Sequence, residues 1–581
     1  MNQTRAFLIL AWLMVATLLW MEWGKEKSTP PPPPASAVAP ASSVPVAAGV
    51  AAAANAAVPG VPTANTPAPP VAGSTVSTAA TTGAEPVVTV TTAVFKVMLR
   101  GGEISEADLL RYPVTSEPNS PPMRLLASDS TLYFVAQSGW VSQGNAAPTH
   151  ESGFRYAGDQ RNLVLAKDAN EIAVPFVWTG PTGVTITRTY TFRQGDYAIK
   201  VRDEVSNAGT APWQGFVYRQ LSRVPRELAH KGPFSPEQYS FQGAAWYSPA
   251  DKYEKRKFEK FVDDGKLDKA VTGGWIAMLQ HHFFAAWIPG DKDAGEFSLE
   301  QLNAGAAPQF LIRDLGPGVN VAPGQKATTE ARLWVGPKLV KAIEAQNVPG
   351  LDRAVDFSSY SIFATLANGL FWLLEKLHNL FGNWGWAIIG LVVMLKLALY
   401  PLSAAQYKSA AKMRKFQPRV AQLKERYGED KQKFQMALME LYKKEKINPV
   451  GGCLPLLPQM IIFMTLYWML AESVELRHAP WMLWIHDLTA RDPFFVLPLL
   501  NIAVMWTTQK LTPMTGMDPA QAKMMQFMPL MFGVILAFLP AGLVLYQVAN
   551  GGLGLLQQWV TTKRYAEQSA APAAGKDKDK D

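Results

Sequence analysis

The stretch from Trp384 to Leu402, WGWAIIGLVVMLKLALYPL, is almost unbroken apolar sequence with one charge inside it, Lys396. As a helix rising about 1.5 Å per residue it reaches across most of a hydrocarbon core of about 30 Å, so a membrane span is the expected fold. Lys396 then falls roughly 5 Å past the middle, and Ser403 roughly 10 Å further on. A lysine near the centre of a spanning helix costs about 3 kcal/mol to insert. No acid stands among its apolar neighbours to neutralise it. Two readings follow: the long side chain snorkels to the nearer interface, or it faces a wet cavity within the membrane.

The rest of the chain has two textures, and its averages (581 residues, net charge +8, 48% hydrophobic) describe neither. Cys453 is the only cysteine, which excludes an intramolecular disulfide and leaves the redox compartment unread. The opening MNQTRAFLILAWLMVATLLWMEW carries an apolar run, Ala6 to Trp23, longer than a signal-peptide core, and no small-x-small site follows it directly. A retained signal anchor over 1–24 is therefore favoured over a cleaved signal peptide. Residues 25–86 are dominated by Pro, Ala, Val, Ser, Thr and Gly, including PPPPP. Such composition buries too little apolar surface to offset its ordering entropy, and it reads as a flexible tether.

From 87 to 340 short alternating runs such as GVTITRTYTF, YAIKVRDEV and KATTEARLWV are separated by Gly, Pro, Asn and Asp turns. This predicts a large antiparallel β-sandwich. The patch 251–269, DKYEKRKFEKFVDDGKLDK, mixes both signs without a stacking pattern and reads as a solvated edge, with no nucleic-acid site. His281-His282, placed on a strand, would point to opposite faces and could not share a metal. His150-Glu151 lacks a second zincin histidine, GVNVAPGQK has the wrong spacing for a phosphate loop, and no G-x-S-x-G occurs. The domain therefore reads as a non-catalytic docking or structural module. A cleft for sugar or peptide stays open, with no residue arguing for it.

Residues 357–381 repeat Phe363, Leu366, Leu370, Leu373, Leu374, Leu377 and Phe381 at three- and four-residue spacing. This suits an amphipathic helix lying in the membrane interface; the alternative is a helix packed on the β domain. The insert 403–448 holds twelve Lys/Arg against five acids, a net of +7 that marks it cytoplasmic. Met413, Phe416, Val420, Leu423 and Tyr427 form one stripe and Phe434, Leu438 and Leu441 another, around Gly428-Glu429-Asp430. That predicts a helical hairpin whose first arm is kinked at Pro418. Solvation accounts for most of its charges, while lipid headgroups or a ribosome are partners its basic face could serve. Further apolar segments at 453–471, 494–511, 524–539 and 541–560, with a short tail 561–581, complete six spans counting the anchor. Loop charges then place both termini in the cytoplasm and the β domain outside, periplasmic in a Gram-negative cell.

The spans carry Gln459, Thr465, Asn501, Thr507, Thr508, Tyr546, Gln547, Asn550 and Gln557. Singly these serve as interhelical hydrogen bonds worth about 0.6 kcal/mol each; together with an unpaired lysine they favour a hydrated cavity. Methionines 514, 517, 524, 525, 528 and 531 cluster where an adaptable apolar surface would be useful.

The runs LKLALYPLSAAQYKSAAKMRKFQPR, NPVGGCLPLLPQM, SVELRHAPWMLWIHDL and FMPLMF…LPAGLVLYQVAN, in that order, resemble the YidC/Oxa/Alb family of membrane-protein insertases, its Gram-negative branch in particular. The resemblance is strong over 355–565 and architectural elsewhere. It implies a polytopic α-helical membrane protein whose five-helix core encloses a hydrophilic groove, preceded by a large periplasmic β-sandwich. It places the groove charge at Lys396, where the family generally carries arginine. Lysine keeps the charge but not the forked donors. It also implies that Gln459, Met460 and Ile461 contact substrate, with Thr465 and Asn501 along the path and Tyr546 and Gln547 on the groove wall. Expected partners are nascent membrane proteins, Sec translocon components, membrane lipids and a ribosome through the hairpin. No cofactor, metal or nucleotide is expected, nor enzymatic activity. A small-solute transporter would show internal repeats with paired broken helices, and none is seen; an intramembrane enzyme would need a nucleophile–base or carboxylate pair at depth.

Overall fold

A computed structural model describes residues 58–60 and 86–570, apart from 130–131, 152, 227–239, 266, 303–306, 356, 358–360, 407–415, 428–429, 445–455 and 512–518. The expected anchor (1–24), nearly all of the tether (25–86) and Met413 of the hairpin stripe lie outside the described residues.

Between Val88 and Pro337 the chain builds a β-sandwich of one ten-stranded and one nine-stranded sheet. Alternation drives it: along Val184–Arg193, Val184, Ile186, Tyr190 and Phe192 are buried while the intervening threonines are half-exposed. This strand pairs antiparallel with Ala198–Asn207, which pairs antiparallel with Lys326–Pro337. One edge departs from the antiparallel rule, Val88–Thr91 running parallel to the short strand Asn162–Val164. The charged patch supplies an edge strand to each sheet, Lys252–Lys257 and Asp268–Thr272, where charge discourages pairing with another chain.

Five tryptophans, Trp140, Trp213, Trp275, Trp287 and Trp334, are fully buried in this core. Arg188 is buried with them, directly opposite Asp203 in the strand register. Its Nε and Nη2 donate to the Asp203 carboxylate at 2.9 Å, and Nη1 donates to Glu103 at 2.5 Å. A buried guanidinium survives because its donors are matched by carboxylate oxygens. His150 is a structural residue, its Nδ1 lying 2.7 Å from Tyr218 Oη.

The histidine pair differs from expectation. His281 and His282 form the two-residue loop between Trp275–Leu279 and Phe283–Pro289, closed by Gln280 N donating to Phe283 O at 3.0 Å. Loop residues do not alternate faces as strand residues do. The two rings stack with centroids 3.8 Å apart and aim the same way. Among the described residues, no group of three or more His, Cys, Asp or Glu is arranged to hold a metal.

Beyond the sandwich come a short α1 (Val340–Glu344), then α2 (Ser361–Phe381) and α3 (Trp384–Ala398). Ala367, Leu370, Phe371 and Leu374 form the buried face of α2, which packs on α3; Phe381, placed on that face by spacing, is exposed. The Lys341–Glu375 ion pair, at 2.7 Å, ties α2 back to α1. Asn383 caps α3 by accepting from Trp386 N, while its Nδ2 donates to the Pro480 and Trp481 carbonyls at 3.1 and 3.0 Å.

The segment 384–402 is not one straight helix. It bends by 67° between α3 and α4 (Tyr400–Gln406). The cause is Pro401, which has no N–H and whose ring clashes with the carbonyl four residues back. After α5 (Gln417–Tyr427) and α6 (Lys431–Lys444) come α7 (Leu456–Glu472), α8 (Val496–Leu511), α9 (Pro519–Leu536) and α10 (Ala541–Ala570). Val420, Leu438 and Tyr442 make the small core between α5 and α6. Pro418 occupies the first turn of α5, where a missing N–H is harmless; residues 407–415, across which the arm was expected to kink, lie outside the described residues.

Among the described residues no single helix is long and apolar enough to cross a membrane, and only the bent pair α3–α4 qualifies jointly. One physical cause stands out: amides and hydroxyls interrupt the apolar runs of α7, α8 and α10.

One end of the bundle is sewn together. Ala541 N donates to Ala490 O at 2.7 Å and Gly542 N to Leu488 O at 2.8 Å, so the turn before α10 sits on the 472–493 loop. The same loop receives the Asn383 cap described above. Leu391, Leu466, Met469, Leu476, Ile485, Leu488, Leu543 and Val544 fill the space inside this end.

Candidate functional site

Below that apolar plug lies a cavity of about 40 Å³ lined by α3, α4, α7 and α10. One water needs about 10–15 Å³ on this measure, so the space takes about three or four. Its polar lining is Lys396 and Ser403, Gln406, Gln459, Tyr546 and Asn550; its apolar lining is Val392, Leu395, Leu399, Leu402 and Ile462. Among the described residues the lining contains no carboxylate, so the ammonium faces amides and hydroxyls.

Element geometry explains why these residues meet. Lys396 lies twelve residues into α3 from the sewn end, Asn550 nine residues into α10, and Gln459 thirteen residues back from the end of α7. At about 1.5 Å per residue all three sit about 13–20 Å from that end. The bend at Pro401 turns α4 back across the opening, which brings Ser403 and Gln406 to the wall.

Of the residues singled out from sequence, Lys396, Gln459 and Tyr546 share this cavity, and the others do not line it. Met460 and Ile461 are 52% and 46% exposed on the outer side of α7, because each residue step turns the helix by about 100°. Thr465 is buried, and its hydroxyl donates to the Ile461 carbonyl of its own helix at 2.8 Å. Asn501 is buried on α8 with Nδ2 3.3 Å from Met505 Sδ, and its Oδ1 has no hydrogen-bond partner among the described residues. Gln547 Oε1 is likewise buried without one. Ser403, Gln406 and Asn550 complete the polar lining; the sequence marks Ser403 only by its distance from Lys396 and Asn550 only as one polar residue within a span.

Outside the cavity, α7 exposes Met460 and Met464 and α9 exposes Met524, Phe527, Met528 and Met531. Lys510 on α8 lies 3.9 Å from the Trp506 ring centroid, and Lys563 on α10 lies 5.6 Å from that of Trp559. Such Lys–Trp pairs suit a boundary between apolar and wet surroundings.

Residues 87–373 match the family model for the YidC periplasmic domain, and residues 376–568 match that for the 60Kd inner membrane protein. The membrane protein insertase YidC of Stenotrophomonas maltophilia (strain R551-3) is 56% identical over 585 residues, covering 100% of both chains. That of Xanthomonas campestris pv. campestris (strain 8004) is 56% identical over 98% of each. A crystal structure of an active YidC insertase with its first transmembrane domain resolved overlays 82% of this chain and 94% of that chain, at 19% identity and a TM-score of 0.36. By the two family models and the curated relatives the protein is an inner-membrane protein with a periplasmic domain, and the chain belongs to the YidC family of membrane-protein insertases.

Proposed function

We propose that this chain inserts membrane proteins through the cavity around Lys396, set in a core of five spans with a sixth ahead of the tether. The observation that carries the reading is a lysine inside an apolar bundle whose cavity neighbours are amides and hydroxyls. Buried amide oxygens without partners among the described residues, on Asn501 and Gln547, favour water within the bundle as well.

Chemically the cavity shortens the low-dielectric path. A polar or acidic tail of an incoming chain enters a site already wet and positively charged, so its desolvation cost falls. The substrate's apolar helix stays outside and moves into lipid, and that burial supplies the driving force. The exposed methionines of α7 and α9, Met460 and Ile461 among the neighbours, offer it a polarizable surface that adapts to varied sequences. Thr465, Asn501 and Gln547 add polar groups to the interior behind the wall. No nucleotide is called for in this scheme.

In this reading both termini and the α5–α6 hairpin are cytoplasmic, lipids cover the outer helix faces, and Sec components meet the periplasmic side. The basic hairpin is the surface a ribosome would meet. The transport reading gains nothing, since the family shared over the whole chain is one of insertases.

The test compares wild type, Lys396→Arg and Lys396→Ala, at equal membrane levels, for insertion of a short single-span substrate in cells depleted of the native protein. Arg is expected to support insertion and Ala to reduce it several-fold. Full activity of the Ala variant would make Lys396 a snorkelling residue and remove the charge from the mechanism.

A further inference from the structure

The β domain does not merely precede the bundle; it grips one helix of it. Ala471 lies in the last turn of α7, where carbonyls lack partners within the helix. Its oxygen is met by His281 Nε2 at 2.9 Å and His282 Nε2 at 3.1 Å, from the hairpin loop of the sandwich. A carbonyl only accepts, so each ring carries its hydrogen on Nε2, and the two lone pairs take one ring each. His282 is buried, and that burial holds its pKa well below the ordinary value, keeping it neutral.

Charge completes the grip. Lys338, 1% exposed at the end of the last strand, lies 3.7 Å from Glu472 Oε2 and binds the same loop through its backbone N donating to His282 O at 2.9 Å. Ser240 Oγ donates to Glu472 at 3.3 Å. One step on, Val474 is buried as part of the β-domain core. Arg477 donates to Val114 O at 3.1 Å and lies over Phe283. A neutral donor pair and a cation at a helix C-terminus match the negative end of its dipole.

We infer that His281, His282 and Lys338 are positioning residues for insertion: they fix the far end of α7 on the β domain and so set where Gln459 stands opposite Lys396. The inference rests on the cavity being the working site. Gln459 and Ala471 are twelve residues apart on one helix, about 18 Å, so a tilt at the latch displaces the cavity wall.

The test uses the full chain in lipid nanodiscs for amide exchange and depleted cells for insertion. His281→Phe with His282→Phe keeps two stacked rings and removes both donors; His281→Gln with His282→Gln restores an N–H at similar reach. For the Phe pair, exchange over 469–477 is expected to rise about tenfold or more, the worth of two net hydrogen bonds, with protection of the Trp213–Arg223 strand unchanged. Insertion falls several-fold, and the Gln pair recovers both readouts. Wild-type protection at 469–477 in the Phe pair overturns the latch; loosened protection with wild-type insertion overturns its positioning role. If the Phe pair also unprotects the strand, Lys338→Met carries the same comparison with both rings in place. Lys396→Ala runs alongside: its full activity would sink the cavity reading, and the exchange readout would then decide the latch by itself.

Discussion

Gly385 on α3 and Gly369 on α2 lie on neighbouring helices and predict opposite outcomes for the same substitution. A Cβ on Gly385 would come within 2.1 Å of Trp481 Cδ1 and 2.7 Å of Trp481 Cβ, whereas one on Gly369 meets nothing within 4 Å. Trp481 cannot swing away at its Cβ, so Gly385→Ala must push the 472–493 loop off the helix and is expected to cost about 1–3 kcal/mol. Gly369→Ala is expected to stabilise by about 0.5–1 kcal/mol through helix propensity. Thermal unfolding of the purified protein reads both; equal shifts would contradict the packing. Single residues also show what sequence can convey. Lys396 was legible because a charge in an apolar run is costly wherever it sits. Gln459 and Tyr546 were legible as polar residues at comparable depth. Ser403 and Gln406 were less so: they lie past Pro401, beyond the bend, and reach the cavity wall from the second half of the bent segment. Met460 and Ile461 adjoin Gln459 in sequence but face outward in the helix.

At the scale of elements, α7 is held from outside itself, and the loop that follows it contains a titrating group. Glu475 is pushed up to about 7 from the ordinary 4.5, chiefly by burial and also by Glu375, against the pull of its own and the Val340 backbone N–H groups and Lys341. Tyr112 of the sandwich faces it as well. A carboxyl raised in the folded state takes up a proton that the unfolded state does not hold between these two values. Its stabilising contribution is therefore complete below about 4.5 and lost as pH climbs through about 7. The full chain should lose thermal stability over that window, and Glu475→Gln should flatten the slope; an unchanged slope would place the titration elsewhere. The strands of the sandwich were readable because alternation is a local property. The docking of 473–477 on that sandwich was not, since Arg477 bonds Val114, 363 residues upstream. The same limit explains the histidines, whose face depends on whether residues 281–282 belong to a strand or to its hairpin loop.

For the whole molecule, the arrangement of ends is the strongest constraint on topology. The 472–493 loop is bonded to the α2–α3 turn, to the turn before α10 and, through Arg477 and Val114, to the β domain. In the proposed topology all three lie on the periplasmic side with the β domain, and the opposite end of the bundle faces the cytoplasm. The net +7 of residues 403–448 agrees with that placement by an independent argument, the energetic preference for cationic loops on the inner side. Protease access separates the two sides cleanly. Arg419, Lys424 and Arg426 are exposed on α5, and Lys257 and Lys260 are exposed at the sandwich edge. In spheroplasts trypsin should cut at the sandwich edge and leave α5 intact; in inverted membrane vesicles it should cut α5 and spare the sandwich. Cleavage of both sites from one side would mean that the bundle does not separate the hairpin from the β domain. The apolar plug between the cavity and the periplasmic end would then have no barrier to maintain, and a cavity wet only from the cytoplasmic side could not be the route.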